Sequence, residues 1–384
     1  MSLRVLVVDD TAVFRKLISE ALTGIPDVEV CGTASNGKLA LARIETIRPS
    51  LVTLDMEMPE MNGLETLEAI SKMAAAPGVI MLSSGTSRGT QATMKALELG
   101  AFDFVAKPEA GDEETTLLKL RSALAPRLVA FARQREIRQM LSHTYRRETA
   151  GMEVGCGTAE LRIPPETASP QQRPGTRAPL ARTLHAGMKF SGPPLVLMGV
   201  STGGPRALAE VLPAIPADLG APILIVQHMP PLFTAALAQS LQAKCQLRVK
   251  EAEDGEAPVA GCVYLAPGGR HMTLMASPLG KALIRLCDLP PEHGCRPAVD
   301  VLFRSVANAF PQRSIAVILT GMGSDGTAGV RELKRSGCIS IAQDEATSTV
   351  FGMPRELIRA GIADHVVPLS RVAAEIVRQV RDAK

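Results

Sequence analysis

Tryptophan is absent from this sequence, and tyrosine and phenylalanine are scarce, with two and nine residues among 384. The cores must therefore be aliphatic, and aromatic platforms on which nucleobases could stack are scarce. A net charge of +3 gives no electrostatic footprint for nucleic acid either. The seven cysteines are scattered, odd in number and without a C-x-x-C pair, which argues against a disulfide framework and against a zinc site. No apolar run approaches the roughly 20 residues that cross a bilayer. Ser2-Leu3-Arg4 leads straight into a strand-like run and an acid pair rather than a signal peptide. These absences predict a soluble cytoplasmic protein with no nucleic-acid partner and no membrane insertion. Apolar residues make up 46% of the chain, ample for packed cores, and its length predicts two domains.

In residues 1–124, apolar runs alternate with helical patterns five times. The strand-like runs are Val5–Val8, Val28–Gly32, Leu51–Leu54, Val79–Leu82 and Phe102–Val105. Helical stretches start near Thr11, Lys38, Leu64 and Thr90, and a fifth follows Glu113. This rhythm predicts a five-stranded parallel sheet with helices on both faces, whose ligands sit beyond the carboxyl ends of the strands. Polar residues collect at those ends: Asp9 and Asp10, Asp55, Ser83 and Ser84, and Lys107-Pro108. Three carboxylates in one cleft repel one another unless a hard cation holds them, and Mg²⁺ suits such oxygen donors. Lys107 adds a positive point charge for a phosphoryl oxygen, and Ser83 offers a hydroxyl. Asp55 is then a candidate nucleophile for a phosphoryl group. Any one of these residues alone reads as an ordinary loop or cap residue; their coincidence at successive strand ends does not.

The stretches Val7-Val8-Asp9-Asp10, Leu54-Asp55-Met56-Glu57-Met58-Pro59, Asn62-Gly63 and Phe104-Val105-Ala106-Lys107-Pro108 resemble the receiver domain of bacterial response regulators, a flavodoxin-like fold. The resemblance implies that Asp55 accepts phosphate from a histidine kinase and that Asp9, Asp10 and Asp55 hold Mg²⁺. It also implies that Ser83 and Phe104 take the switch hydroxyl and switch aromatic positions, with Lys107 completing the switch.

Residues 125–190 read as a helix extension followed by a tether. Ala130–Arg147 is charged and arginine-rich, and proline, glycine and threonine dominate about 148–190. Such a segment buries too little apolar surface to offset its ordering entropy.

The alternation resumes over 191–384, with strand-like runs Leu195–Val200, Ile223–Val226, Ile315–Leu319, Ile339–Ala342 and Val366–Pro368. Helical stretches include Pro205–Leu212, Phe233–Ala243, Val299–Ala309, Ala328–Ser336 and Arg371–Arg381. The expectation is a second doubly wound, mostly parallel α/β sheet, with hairpins inserted in the turn-rich portion Val249–Cys287. Gly199-Val200-Ser201-Thr202-Gly203-Gly204-Pro205 is a strand, a glycine-rich turn and a helix start, and its first five residues match a nucleophile elbow. Alone, such a turn is more simply a helix cap. Two further strand ends supply partners: His228 in Gln227-His228-Met229-Pro230, and Asp325 in Gly321-Met322-Gly323-Ser324-Asp325-Gly326. A serine, a histidine base and an aspartate that holds its tautomer form a nucleophilic triad. His271 and His293 compete for the role of base. The segment 321–326 is also a literal G-x-G-x-x-G, with Asp344 near the ribose-acid spacing, so a nucleotide-binding oxidoreductase is the runner-up; it leaves Ser201 and His228 unused. A binding module that has lost catalysis is a third class.

Together with Lys250–Gly255, Leu265–Gly268, Arg296–Phe303, Leu319–Gly326 and Phe351–Pro354, these motifs resemble the catalytic domain of the chemotaxis protein-glutamate methylesterase (CheB) family. The resemblance implies hydrolysis of glutamate methyl esters on methyl-accepting chemoreceptors, release of methanol, and deamidation of receptor glutamines. Ser201, His228 and Asp325 would be catalytic. Thr202, Gly203 and Met322 are candidates for backbone oxyanion donors, and no metal is needed in this domain. Arg270 and Arg296 are candidates for contact with an acidic receptor surface or for internal ion pairs. An unphosphorylated receiver of this kind packs over the esterase cleft and blocks large substrates.

Overall fold

The computed structural model describes residues 2–108, 112–150, 193–277, 281–310 and 314–383. In the first half, β1 (Leu3–Val8), α1 (Ala12–Thr23), β2 (Val28–Ala34), α2 (Gly37–Ile47) and β3 (Leu51–Asp55) lead into α3 (Gly63–Ser71) and β4 (Gly78–Ser83). After them come α4 (Ser87–Glu98), β5 (Asp103–Ala106) and the long α5 (Glu113–Ala150). The strands lie in the order β2-β1-β3-β4-β5, and every neighbouring pair is parallel. Helices cover both faces, so β3 is buried along its whole length and is mostly apolar, broken by Thr53 before the closing Asp55. The order reverses between β1 and β3, the place where such sheets open a crevice. Asp9, Asp10 and Asp55 end those two strands.

The second half contains β6 (Leu195–Val200), α6 (Gly204–Val211), β7 (Ile223–Gln227), α7 (Phe233–Gln242), β8 (Arg248–Glu251) and β9 (Cys262–Leu265). Next are β10 (His271–Ala276), β11 (Ala282–Cys287), α8 (Val299–Ala309), β12 (Ser314–Ile318) and α9 (Thr327–Lys334). The chain ends with β13 (Ile339–Gln343), α10 (Met353–Arg359), β14 (His365–Val367) and α11 (Leu369–Asp382). Seven strands form one sheet in the order β14-β13-β12-β6-β7-β9-β8, parallel throughout. The central portion corrects the sequence expectation. Among the described residues only β10 and β11 make an antiparallel hairpin, whereas β8 and β9 join the main sheet as parallel strands. β8 is an edge strand reading Arg-Val-Lys-Glu, and its polar composition hides it from a search for apolar runs. The reversal of order in this sheet falls between β6 and β12, beside Ser201.

Met1–Gln134 and Phe190–Lys384 pack as one unit. The long α5 runs into the segment expected as a helix extension, and the expected tether lies, beyond Ala150, outside the described residues. No helix among the described residues is long and apolar enough to cross a membrane.

Candidate active site and acidic pocket

At the end of β6 the chain turns through Ser201 into α6. Gly203 sits in the left-handed region at φ 79, where a side chain would be strained. Gly321, just past β12, approaches so closely that an added Cβ would stand 2.7 Å from Ser201 Cβ. The Ser201 N–H donates to Thr320 O at 3.0 Å, and Gly204 N donates to Ser201 O at 2.8 Å. The N–H groups of Thr202, Gly203 and Met322 donate to nothing among the described residues, and Thr202 and Met322 line the same cavity as Ser201.

His228 follows β7, and its Nε2 lies 2.8 Å from Asp325 Oδ2. Asp325 is 2% exposed. The same Oδ2 accepts from Val299 N at 2.7 Å, and Oδ1 accepts from Asp300 N at 2.8 Å. Asp325 therefore closes the N-terminus of α8, whose unpaired N–H groups favour a negative charge. Burial opposes ionisation of Asp325, but His228 and these two N–H groups outweigh it and hold the carboxyl below its usual range. Burial also penalises the charged His228, yet the hydrogen bonds to Asp325 and Cys295 prevail and raise the imidazole to about 9. An acceptor at Nε2 keeps the proton there and leaves Nδ1 as the nitrogen able to take one. No hydrogen bond joins the Ser201 hydroxyl to this ring among the described residues.

Ser201, Thr202, His228, Met322 and Asp325 line one cavity of about 720 Å³. The competing histidines separate. His271 is fully buried, its Nε2 donating to Pro290 O at 3.1 Å while its Nδ1 accepts from Ala298 N at 3.2 Å. It is a strut beneath the loop that carries Arg296 and Pro297. His293 reaches the cavity wall but pairs with Asp300 at 3.0 Å. Asp344, the ribose-acid candidate, accepts from Thr347 N at 3.0 Å and closes a turn. Arg270 pairs with Asp288 at 3.3 Å, and Arg296 donates to the carbonyls of Asp288 and Leu289, so both brace the segment after the hairpin.

The first half supplies part of the cavity wall. Asp103, Phe104 and Arg127 line it. Asp103 Oδ2 accepts from the Thr202 hydroxyl at 3.0 Å and pairs with Arg127 Nε at 3.0 Å. Phe104 stacks on Phe233 of α7 at 4.5 Å between centroids, a pair worth about 0.5–1.5 kcal/mol beyond its buried area. Lys244 and Ser240 both bind Glu98, at 2.6 Å each. Met322 packs against the apolar cluster of the first half.

In the acidic pocket, Lys107 Nζ lies 2.8 Å from Asp9 and 2.7 Å from Asp55. Burial lifts Asp55 to about 6, Lys107 opposing and Asp9 adding to the rise. Asp10 is exposed, and carboxylate oxygens of Asp9, Asp10 and Asp55 lie within 4.8 Å of one another. Hard oxygen donors so close together fit a small divalent cation. Ser83 is fully buried, and its hydroxyl accepts from the Thr93 hydroxyl at 2.7 Å. In this structure it is engaged with α4.

The receiver-domain model of response regulators matches residues 5–119, and the CheB methylesterase model matches residues 196–376. A Desulfotalea psychrophila protein named protein-glutamate methylesterase/protein-glutamine glutaminase is 47% identical over 382 residues, 99% of each chain. This chain belongs to that family. The Bacillus subtilis member of the same name is 41% identical over 381 residues, again 99% of each chain. The crystal structure of the Thermotoga maritima CheB methylesterase catalytic domain is 45% identical, covers 49% of this chain and 98% of its own, and superposes with a TM-score of 0.48.

Residues that sequence reasoning misses are those whose partners lie far along the chain. Asp103 is an ordinary strand residue until it meets Thr202, 99 positions away. Thr320, Gln343 and the amide role of Gln227 are likewise hidden. The one available signal is a polar residue closing an otherwise apolar strand.

Proposed function

We propose that this chain hydrolyses methyl esters of glutamate side chains on chemoreceptors, releasing methanol, and deamidates receptor glutamines by the same acyl chemistry. Phosphorylation by a histidine kinase of a chemosensory system controls it, in the cytoplasm. The observation that carries the reading is the meeting of Ser201, the His228–Asp325 pair and the N–H groups of Thr202 and Met322, unpaired among the described residues, in one cavity. Full-length relatives bearing the methylesterase name support it.

In this mechanism Ser201 Oγ attacks the ester carbonyl while His228 Nδ1 takes the hydroxyl proton. Asp325 holds the ring and stabilises the imidazolium. The oxygen that gains charge is met by the N–H groups of Met322 and of the Thr202–Gly203 turn. Collapse of the tetrahedral species expels methoxide, which His228 protonates to methanol. Water, deprotonated by the same ring, then attacks the acyl-serine and restores Ser201 with a free glutamate. For glutamine the leaving group is ammonia.

Residues 1–124 act as the receiver, 125–190 as helix extension and tether, and 191–384 as the esterase. Asp9, Asp10 and Asp55 would hold Mg²⁺, which when bound offsets charge on the transferring phosphoryl group. Asp55 accepts that group, Lys107 meets one of its oxygens, and Ser83 turns away from α4 to meet another. That motion frees the space behind Phe104, whose stacking on Phe233 ties the receiver to the esterase. Phosphorylation then shifts the population from a covered cavity to an open one.

The test is methanol release from methylated receptor membranes, comparing wild type with Ser201→Ala, each with and without a small-molecule phosphodonor. Release that vanishes in Ser201→Ala and rises with phosphodonor is expected. No release from wild type under any condition overturns the reading.

A further inference from the structure

With Ser201 read as the nucleophile, we infer that two buried glutamines, Gln227 and Gln343, are positioning residues that fix its backbone from opposite sides. Each closes a strand, β7 and β13, and they are 2% and 0% exposed. A side-chain amide in such a place is costly unless it is hydrogen-bonded.

The bonds form a continuous line across the carboxyl edge of the sheet. Gln343 Nε2 donates to Thr347 O at 2.9 Å and to the Thr347 hydroxyl at 3.3 Å. Gln343 Oε1 accepts from Thr320 N at 2.8 Å. Thr320 O accepts from Ser201 N at 3.0 Å. Ser201 O accepts from Gln227 Nε2 at 2.9 Å, and the same Nε2 lies 3.4 Å from His228 O. Four strand ends, β13, β12, β6 and β7, are thereby tied in register. One amide also touches the carbonyls of both the nucleophile and the base. The Thr320 hydroxyl adds a bond to Thr202 O at 2.9 Å, so the turn bearing the free N–H groups is held by the same line.

Satisfying buried groups does not account for Gln227. Ser201 O is already served by Gly204 N at 2.8 Å, and Gln227 Oε1 is itself buried with no partner among the described residues. An amide that leaves its own oxygen unpaired costs stability, as an orphaned buried acceptor does. What Gln227 adds is position. A nucleophile displaced by a fraction of an ångström loses its near-attack geometry, and a shift of about 1 Å can cost about 100-fold.

The experiment compares wild type, Gln227→Met and the isosteric Gln227→Glu in the full-length protein. It measures methanol release (kcat and KM), the rate of Ser201 labelling by a fluorophosphonate probe, and Tm. Gln227→Met should keep or raise Tm and leave KM within about twofold, yet lower kcat and labelling by about tenfold or more, near 1.4 kcal/mol in barrier. In Gln227→Glu, a protonated carboxyl can donate to the Ser201 carbonyl, whereas an ionised one repels it. The rate of Gln227→Glu relative to wild type should therefore be highest at low pH and fall as pH rises. A kcat and labelling rate within twofold of wild type in Gln227→Met, or a flat pH ratio in Gln227→Glu, overturns the inference. If Gln227→Met does not fold, the pH ratio decides. Wild type that is labelled but releases no methanol refutes the methylesterase reading alone, and labelling still tests Gln227.

Discussion

The acidic pocket and the serine cavity are built alike and charged unlike. Both lie at the carboxyl edge of a parallel sheet, at the point where strand order reverses between neighbours. In the first, like charges crowd together. Burial and Asp9 push Asp55 up to about 6, against the pull of Lys107. In the second, opposite charges are matched, and the N-terminus of α8 supplies the counterweight to Asp325. In the first pocket like charges face one another across Lys107; in the second the charges are paired, and Asp103 and Phe104 of the first half line its wall. Under the proposed function the first pocket regulates and the second does the chemistry, and the difference in electrostatics suits each task.

The largest separation of the two should come from Ser201→Ala. Methanol release is expected to fall by about 10³-fold or more, while radiolabelled phosphodonor marks Asp55 to the same extent as in wild type. Loss of that labelling in Ser201→Ala would break the distinction between the two pockets.

Asp325→Asn is expected to lower kcat by roughly 10²–10⁴-fold, the range for losing the group that sets a catalytic tautomer. It also sharpens the pH dependence. With His228 raised to about 9, the imidazolium–Asp325 pair stabilises the fold fully below about 6.5, and that contribution is lost as pH rises through about 9. Catalysis needs the neutral ring, so the rate of unphosphorylated wild type should climb with pH up to about 9. In Asp325→Asn the midpoint should move down, because burial then acts without the carboxylate. A midpoint that stays near 9 would show that Asp325 is not the cause.

Asp55→Asn should abolish the whole phosphodonor-dependent increase and leave the unstimulated rate unchanged, as should chelation of divalent cations. An increase that survives either treatment would mean that the acidic pocket does not control the cavity. The smallest effect is expected from Asp103→Ala, which removes the bond to Thr202. The unphosphorylated rate should rise by up to about tenfold, as one charge-assisted hydrogen bond allows. An unchanged rate would show that Asp103 does not hold the cavity closed.

The legible part of the fold is the part with clean periodicity. β6, with all six positions buried, reads as a strand without help, and so does α8, whose start and end match expectation. β8 does not, because an edge strand of four residues carries charged side chains toward solvent. α10 escapes notice because seven residues opening on Met353-Pro354 offer less than two turns of pattern. Within the cavity, three histidines stand as candidate bases in the sequence. Burial between two backbone groups removes His271, and pairing with Asp300 occupies His293.

By itself the sequence determined which residue types stand at which strand ends, because strand alternation and glycine turns are local physics. It thus announced two parallel sheets, the acids of the first and the serine, histidine and aspartate of the second. The tertiary structure alone decided what those residues touch. The Asp325 bond to His228 spans 97 positions, and the Thr202 bond to Asp103 spans 99. Contacts of that range are selected by how whole sheets and helices pack together, and no local pattern in a chain encodes their distances.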